Sequence, residues 1–146
     1  MSLTPIEYEI LAEEEDGLDL ESEALPEIET SKTWRIDLEN GRIGTFIDGN
    51  EAIRQYIRKV LITARNRYLI YDDTYGEELH DLIGQNLTKA LMDVEIPRVV
   101  RDAIKGDDRI EEVSDVTVMQ YNSDSILIAV TVITATGLFI TEEVTL

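Results

Sequence analysis

The chain has 146 residues, 43% of them hydrophobic, which suffices for one compact domain whose core needs neither metal nor disulfides. It has no cysteine, and this excludes a disulfide scaffold, a thiol nucleophile and a cysteine-ligated zinc site. The formal net charge of −18 disfavours nucleic acid and anionic lipid, and no apolar run approaches the roughly 18 residues of a membrane span, so we expect neither partner.

Residues 1–31 form an acidic arm. They contain 11 of the 31 acidic residues and no lysine or arginine, so the rest of the chain carries a net charge of only −7. This composition predicts a flexible, solvated arm, followed by a single domain over residues 32–146. Residues 6–10 alternate between apolar and polar, which also fits a strand that pairs with a sheet edge in this molecule or in a neighbour.

A β-hairpin is predicted to open the domain. Trp34, Ile36 and Leu38 alternate with charged residues before the turn signal Asn40-Gly41, and residues 43–47 would form the return strand.

A helix should start at residues 48–50, because five apolar residues then recur with the helical period: Ile53, Tyr56, Ile57, Val60 and Leu61. Five basic residues lie within fourteen positions on its other side and just beyond it: Arg54, Arg58, Lys59, Arg65 and Arg67. Each one alone is most simply a solvated side chain paired with nearby carboxylates. As a cluster they predict a docking surface for the acidic arm of this chain or of a neighbouring subunit.

The segment 65–79 is dense in aromatic and charged residues. Residues 68–71 fit a short extended segment, and Tyr75-Gly76 fits a turn into a brief helix over residues 77–83 that ends at Gly84. The tyrosines are more typical of core or rim packing than of a ligand site. Whichever of Tyr68, Tyr71 and Tyr75 is exposed would be a natural interface anchor.

Two further helices are predicted. Asn86 would cap the first, whose apolar face would hold Leu87, Ala90, Leu91 and Val94, and Pro97 would lie in the first turn of the second, which runs to Lys105 and stops at Gly106.

The last third predicts a three-stranded antiparallel meander over residues 113–121, 126–134 and 138–146. The middle segment carries apolar residues on both of its faces, so it should be the central strand and should be covered on both sides. The last strand carries no proline or lysine that would blunt a free edge. Two to four helices packed on this sheet, after the N-terminal hairpin, give the α+β class.

Several ordered segments together resemble one family. They are residues 33–43 (TWRIDLENGRI), 48–55 (DGNEAIRQ) and 65–79 (RNRYLIYDDTYGEEL), with Asp107-Asp108-Arg109-Ile110. The chain resembles the XkdS-like tail proteins of defective Bacillus prophages, which are similar to the wedge subunit of contractile-tail baseplates. In that wedge family an acid-Pro-Arg signature precedes the terminal sheet. Arg109 matches its arginine, and Asp108 stands where proline is usual.

The resemblance implies a structural baseplate subunit that binds other wedge proteins and tail sheath or tube proteins and helps to start sheath assembly. It implies a place in the virion tail baseplate, with assembly in the bacterial host cytoplasm, and neither cofactor nor small-molecule ligand. Arg109 would fix how the helices meet the sheet, since an arginine fork can bridge carboxylates or carbonyls. Either the edge over 138–146 or the strand over 6–10 would pair with the first sheath subunits.

A tail-associated lysozyme-like enzyme is the alternative, because related wedge proteins have carried that label. Glycoside hydrolysis needs two placed carboxyls, one of them with a raised pKa, and the adjacent pairs Glu77-Glu78 and Asp72-Asp73 do not define such geometry. His80 is the only histidine and lies among carboxylates. Neither Asp72-Asp73 nor Asp107-Asp108 has the spacing of a calcium loop. We therefore predict no catalytic and no metal residues.

An adaptor that acts through the acidic arm is a third, weaker interpretation.

Overall fold

A computed structural model describes residues 31–146, so the acidic arm up to residue 30 and the strand predicted over 6–10 lie outside the described residues. The elements are β1 (Thr33–Asp37), β2 (Arg42–Ile47), α1 (Gly49–Ile62), α2 (Leu79–Leu82), α3 (Lys89–Ile104), β3 (Ile110–Tyr121), β4 (Ile126–Thr134) and β5 (Phe139–Thr145). β1 and β2 form a hairpin, and β3, β4 and β5 form an antiparallel sheet with β4 in the centre. The predicted α+β class and terminal meander are confirmed.

The core lies between this three-stranded sheet and one face of α1 and α3. Alternate residues of β4 are fully buried, among them Ile126, Ile128, Val130 and Val132. Ile57, Val60 and Leu61 of α1 pack into the same cluster, as the helical spacing predicts. Asp48 begins α1, because its carboxylate accepts a hydrogen bond from the Gly49 N–H at 2.7 Å.

The two helices predicted over residues 86–105 are one helix, α3. Thr88 caps it rather than Asn86, which instead has a positive φ of 49°. Pro97 lies inside α3 rather than in a first turn; its fixed φ is compatible with a helix, but it lacks the N–H that would bond residue 93.

The predicted apolar face of this region is also wrong. Leu91 and Val94 are exposed, and the buried side follows a different spacing: Met92, Ile96, Val99, Val100, Ala103 and Ile104. The stretch 87–94 contains apolar residues for two overlapping faces, and packing against the sheet selects the face that continues through Ile104.

Several strand boundaries and one face of β4 differ from the predictions. β3 begins at Ile110 rather than 113, β5 spans Phe139–Thr145, and Leu38 follows β1. The second face of β4 is only half-buried, because no helix among the described residues covers it and the neighbouring strands present polar residues there. The central position of β4 is correct, and its coverage on both faces is not.

Candidate interaction site

An open groove of about 750 Å³ separates the hairpin from the C-terminal sheet. Residues 35–39 line one wall, residues 143–145 of β5 line the other, and Ile47 lies with them. The floor is the surface of α1, through Glu51, Arg54, Gln55, Arg58 and Ile62. We call this space the β1–β5 groove. Each of its walls is the outer strand of a sheet, and backbone groups on such edges are recognised by extended peptides.

Among residues 31–146, β5 is an outer strand of its sheet, and its pairing with β4 defines which backbone groups face outward. Leu146 exchanges two backbone hydrogen bonds with Ile126, at 3.0 and 2.9 Å, and the Thr134 N–H bonds the Leu138 carbonyl at 2.9 Å. In an antiparallel pair such residues alternate with residues whose N–H and C=O face the other way. The outward residues of β5 are therefore Phe139, Thr141, Glu143 and Thr145.

Two arginines of α1 converge on a buried carboxylate of β5. Glu142 occupies a helix-facing position of the strand, between Ile140 and Val144, and is 5% exposed. Arg54 Nη1 lies 3.0 Å from Glu142 Oε2, and the Arg58 guanidinium bonds the other oxygen. A carboxylate in this apolar environment requires such partners, since an unpaired buried charge is strongly destabilising. Arg54 and Arg58 thus fasten α1 to β5.

Arg54 has a second contact, on the edge itself. Its Nη1 also donates to the outward carbonyl of Thr141 at 2.6 Å. The sequence has no lysine or proline in β5 to blunt this edge, and the structure supplies an arginine from a helix in their place.

Gln55, the next residue of α1, bonds the opposite wall. Its Nε2 donates to the Trp34 carbonyl at 2.8 Å, and its Oε1 accepts from the Ile36 N–H at 2.7 Å. This side-chain amide therefore pairs with β1 as a peptide group of a third strand would.

The tyrosine segment is a folded loop rather than an extended strand. The Tyr71 N–H bonds the Tyr68 carbonyl at 3.2 Å, and the Tyr71 and Tyr75 rings stack at 4.4 Å. Lys59 places its ammonium 5.3 and 5.7 Å from these two ring centres. Burial raises the pKa of Tyr75 to about 12. Tyr68 is exposed, whereas Tyr71 and Tyr75 are half-buried, so among these three tyrosines the ring of Tyr68 is the most available to a partner.

Gly76 joins this loop to the end of α1. A Cβ added there would lie 2.5 Å from the Thr63 carbonyl oxygen, and its φ is +102°. The Arg65 guanidinium donates to the Gly76 carbonyl at 3.0 and 3.2 Å and pairs with Glu78 at 3.0 Å. Arg65 therefore closes the loop. The helix that follows is shorter than predicted, Leu79–Leu82, and Gly84 lies just past it with φ +86°.

Arg109 lies at the junction of α3 and β3. It forks onto the Asp107 carboxylate, at 2.8 and 2.5 Å, and its guanidinium lies 5.6 Å from the ring centre of Tyr56 in α1. Burial raises the pKa of Asp107, but the Arg109 hydrogen bonds outweigh it and hold that pKa below its usual value. The Arg109 carbonyl also accepts a hydrogen bond from the Ala135 N–H at 2.9 Å. Arg109 therefore links α1, the segment that follows α3, and the turn between β4 and β5.

Glu77 is a second buried carboxylate, and no sequence pattern predicts its burial. It accepts hydrogen bonds from the backbone of Leu79 and His80 and from the His80 ring. Burial raises its pKa above the ordinary value, although these bonds lower it. Glu77 does not line the β1–β5 groove. Within residues 31–146 no group of three His, Asp or Glu side chains is placed to hold a metal ion, and no helix there is long and apolar enough to span a membrane.

Comparison with known proteins shows the family to which this chain belongs. Residues 28–137 match the family described as the contractile injection system sheath initiator, so the chain is a member of that family. A curated relative is "Phage-like element PBSX protein XkdS" of Bacillus subtilis (strain 168), which is 40% identical over 147 residues. The alignment covers 99% of this chain and 96% of the relative. The resemblance inferred from the sequence is confirmed.

Proposed function

We propose that the chain is a wedge subunit of a contractile-tail baseplate, where it binds neighbouring baseplate proteins and presents the edge of β5 to the first ring of sheath subunits. It would be assembled in the cytoplasm of the bacterial host and would then remain in the tail. The family and the prophage relative support a part in sheath initiation. The observation that supports the finer proposal is the row of outward backbone groups on β5, beside an open groove.

A partner strand would lie along Glu143 and Thr145, because their outward N–H and C=O groups face the β1–β5 groove. Main-chain hydrogen bonds supply affinity in such strand addition, and the side chains that line the groove supply selectivity. The groove offers the apolar Ile36, Ile47 and Val144 beside charged residues. An extended segment with alternating apolar and polar residues matches this lining.

Deletion of residues 139–146 is too severe a test, since Ile140, Glu142 and Val144 belong to the core. Thr145→Pro is sharper, because it removes one outward N–H and proline is tolerated on a strand edge. Thr145→Ala is the matched control, since it removes the side chain and keeps the N–H.

The experiment complements cells that make the tail but lack this gene, and sheathed tails are counted by electron microscopy. The wild-type chain and Thr145→Ala should restore sheathed tails, and Thr145→Pro should restore fewer than about a tenth as many. Sheathed tails in the uncomplemented cells would contradict the assembly role itself. Equal numbers with Thr145→Pro would contradict strand addition at this edge only.

A further inference from the structure

The middle of the β5 edge is closed by a side chain from α1. Arg54 Nη1 lies 2.6 Å from the Thr141 carbonyl oxygen, in the position that an N–H of an added strand would take. The guanidinium divides the edge into a part at Phe139 and a part at Glu143 and Thr145. The part at Phe139 is shorter than the three or more residues of an ordinary strand, whereas residues 143–145 leave room for a short partner strand.

Without Arg54 this edge would fit the same edge of a second copy. Two β5 strands related by a twofold axis at Thr141 would place Thr141 opposite its equivalent, and the contact would be self-complementary. Glu143 would then lie opposite Phe139, so no like charges would face each other across the pair. Phe139 is 71% exposed and would gain cover there.

We propose that Arg54 is a guard residue that keeps the β5 edge from pairing with the β5 edge of a second copy. Its position is fixed, because the same nitrogen bonds Glu142, which is buried and needs its charge partners. To admit a strand that runs past Thr141, as self-pairing requires, Arg54 must leave the Thr141 carbonyl and disturb that pair. The guard therefore raises the cost of self-pairing before assembly, and this effect does not depend on which partner the edge finally takes.

The matched variants are Arg54→Met and Arg58→Met. Each removes one of the two arginines on Glu142 and keeps an apolar stem, but only Arg54→Met uncovers the Thr141 carbonyl. Sedimentation equilibrium over a wide concentration range measures the dimer dissociation constant, and circular dichroism checks the fold. Arg54→Gln gives the same comparison if the methionine variant does not fold.

We expect Arg54→Met to lower the dimer dissociation constant at least tenfold relative to the wild-type chain, and Arg58→Met to leave it within about twofold. Adding Glu143→Pro to Arg54→Met should return the chain to the wild-type value, because proline removes an outward N–H from the edge. The proposal is wrong if Arg54→Met associates no more than the wild type, if Arg58→Met associates equally, or if Glu143→Pro does not reverse the association.

Discussion

The two sheets of this protein are held in place by different forces. The three-stranded sheet buries an apolar face against α1 and α3, with residues such as Ile128 and Val130 fully buried. In the hairpin only Ile47 is buried, and Trp34, Ile43 and Phe46 are exposed. Its contacts with α1 include Gln55 to β1, the Arg35–Glu51 pair at 3.1 Å, and Ser31, which accepts from the Gly49 N–H at 2.9 Å.

This difference separates the stability of the domain from the placement of the hairpin. Apolar burial is the larger contribution, so the C-terminal sheet and the helices should unfold as one unit. Hydrogen bonds near the surface add about 1 kcal/mol each, so the hairpin should detach at lower cost. Trp34 is the only tryptophan and lies in β1, so its fluorescence reports on the hairpin, whereas circular dichroism reports on the whole chain.

The largest effect is expected at the centre of the sheet. Ile128→Ala should destabilise the protein by about 2–5 kcal/mol, because it leaves a cavity in a fully buried position. In urea titrations the circular dichroism midpoint should fall, and the fluorescence midpoint, which reports the earlier detachment of the hairpin, should fall less. Leu91→Ala is the control, since Leu91 is exposed and its loss should cost less than about 1 kcal/mol. Equal falls of the two midpoints in Ile128→Ala would contradict separate detachment of the hairpin.

The junction between α1 and the tyrosine loop should be the next most sensitive point. Gly76→Ala places a Cβ against the Thr63 carbonyl and forces an alanine to adopt a positive φ. It should lower the free energy of unfolding by about 2–4 kcal/mol. Gly84→Ala has a positive φ and open space, so it isolates the backbone strain, about 1–2 kcal/mol. Thermal unfolding measures both. Equal costs would mean that the contact with Thr63 relaxes freely.

A smaller and local effect is expected from Gln55→Ala. It removes both hydrogen bonds to β1, so the free energy of hairpin detachment reported by Trp34 fluorescence should fall by about 2 kcal/mol while the circular dichroism midpoint stays within error. Arg35→Ala should change either probe by less than about 0.5 kcal/mol, because its ion pair with Glu51 is exposed. A parallel shift of both probes in Gln55→Ala would contradict independent docking of the hairpin.

The smallest effects are expected in how stability depends on pH, through the two carboxyl groups of Glu77 and Asp107. Burial raises the pKa of Glu77 above 4.5, so its stabilising contribution is complete below that pH and is lost as pH rises through the folded-state value. Asp107 has a lowered pKa, so its contribution is present above 3.8 and is lost as pH falls. Urea midpoints between pH 3 and 7 should therefore show opposite slope changes for Glu77→Gln and Asp107→Asn. Slope changes of the same sign would contradict one of the two shifts.

The sequence predicts those parts of the fold where a single periodicity dominates. The spacing of Ile53, Ile57 and Val60 defines the buried face of α1, and the alternation in β4 and β5 defines the meander. In α3 the apolar residues permit two faces, and Pro97 resembles a start as much as an interior position. Only packing against the sheet resolves that ambiguity.

The site is less predictable, because its contacts join distant segments. Arg54 and Arg58 stand out in the sequence as a basic cluster, but their shared partner Glu142 is 88 and 84 residues away, respectively. One signal was present, since Glu142 occupies a position in β5 where the alternation calls for an apolar residue. The docking role predicted for the basic cluster, and the interface role of the tyrosines, stay predictions.

Arg54 and Gln55 are consecutive residues of α1, and together they connect the edge of β5 to the edge of β1. Neighbouring residues of an α-helix point about 100° apart, and here one bonds β5 while the other bonds β1. Both contacts start from consecutive residues of one helix, so a displacement of α1 changes its hydrogen bonds to β1 and to β5 together.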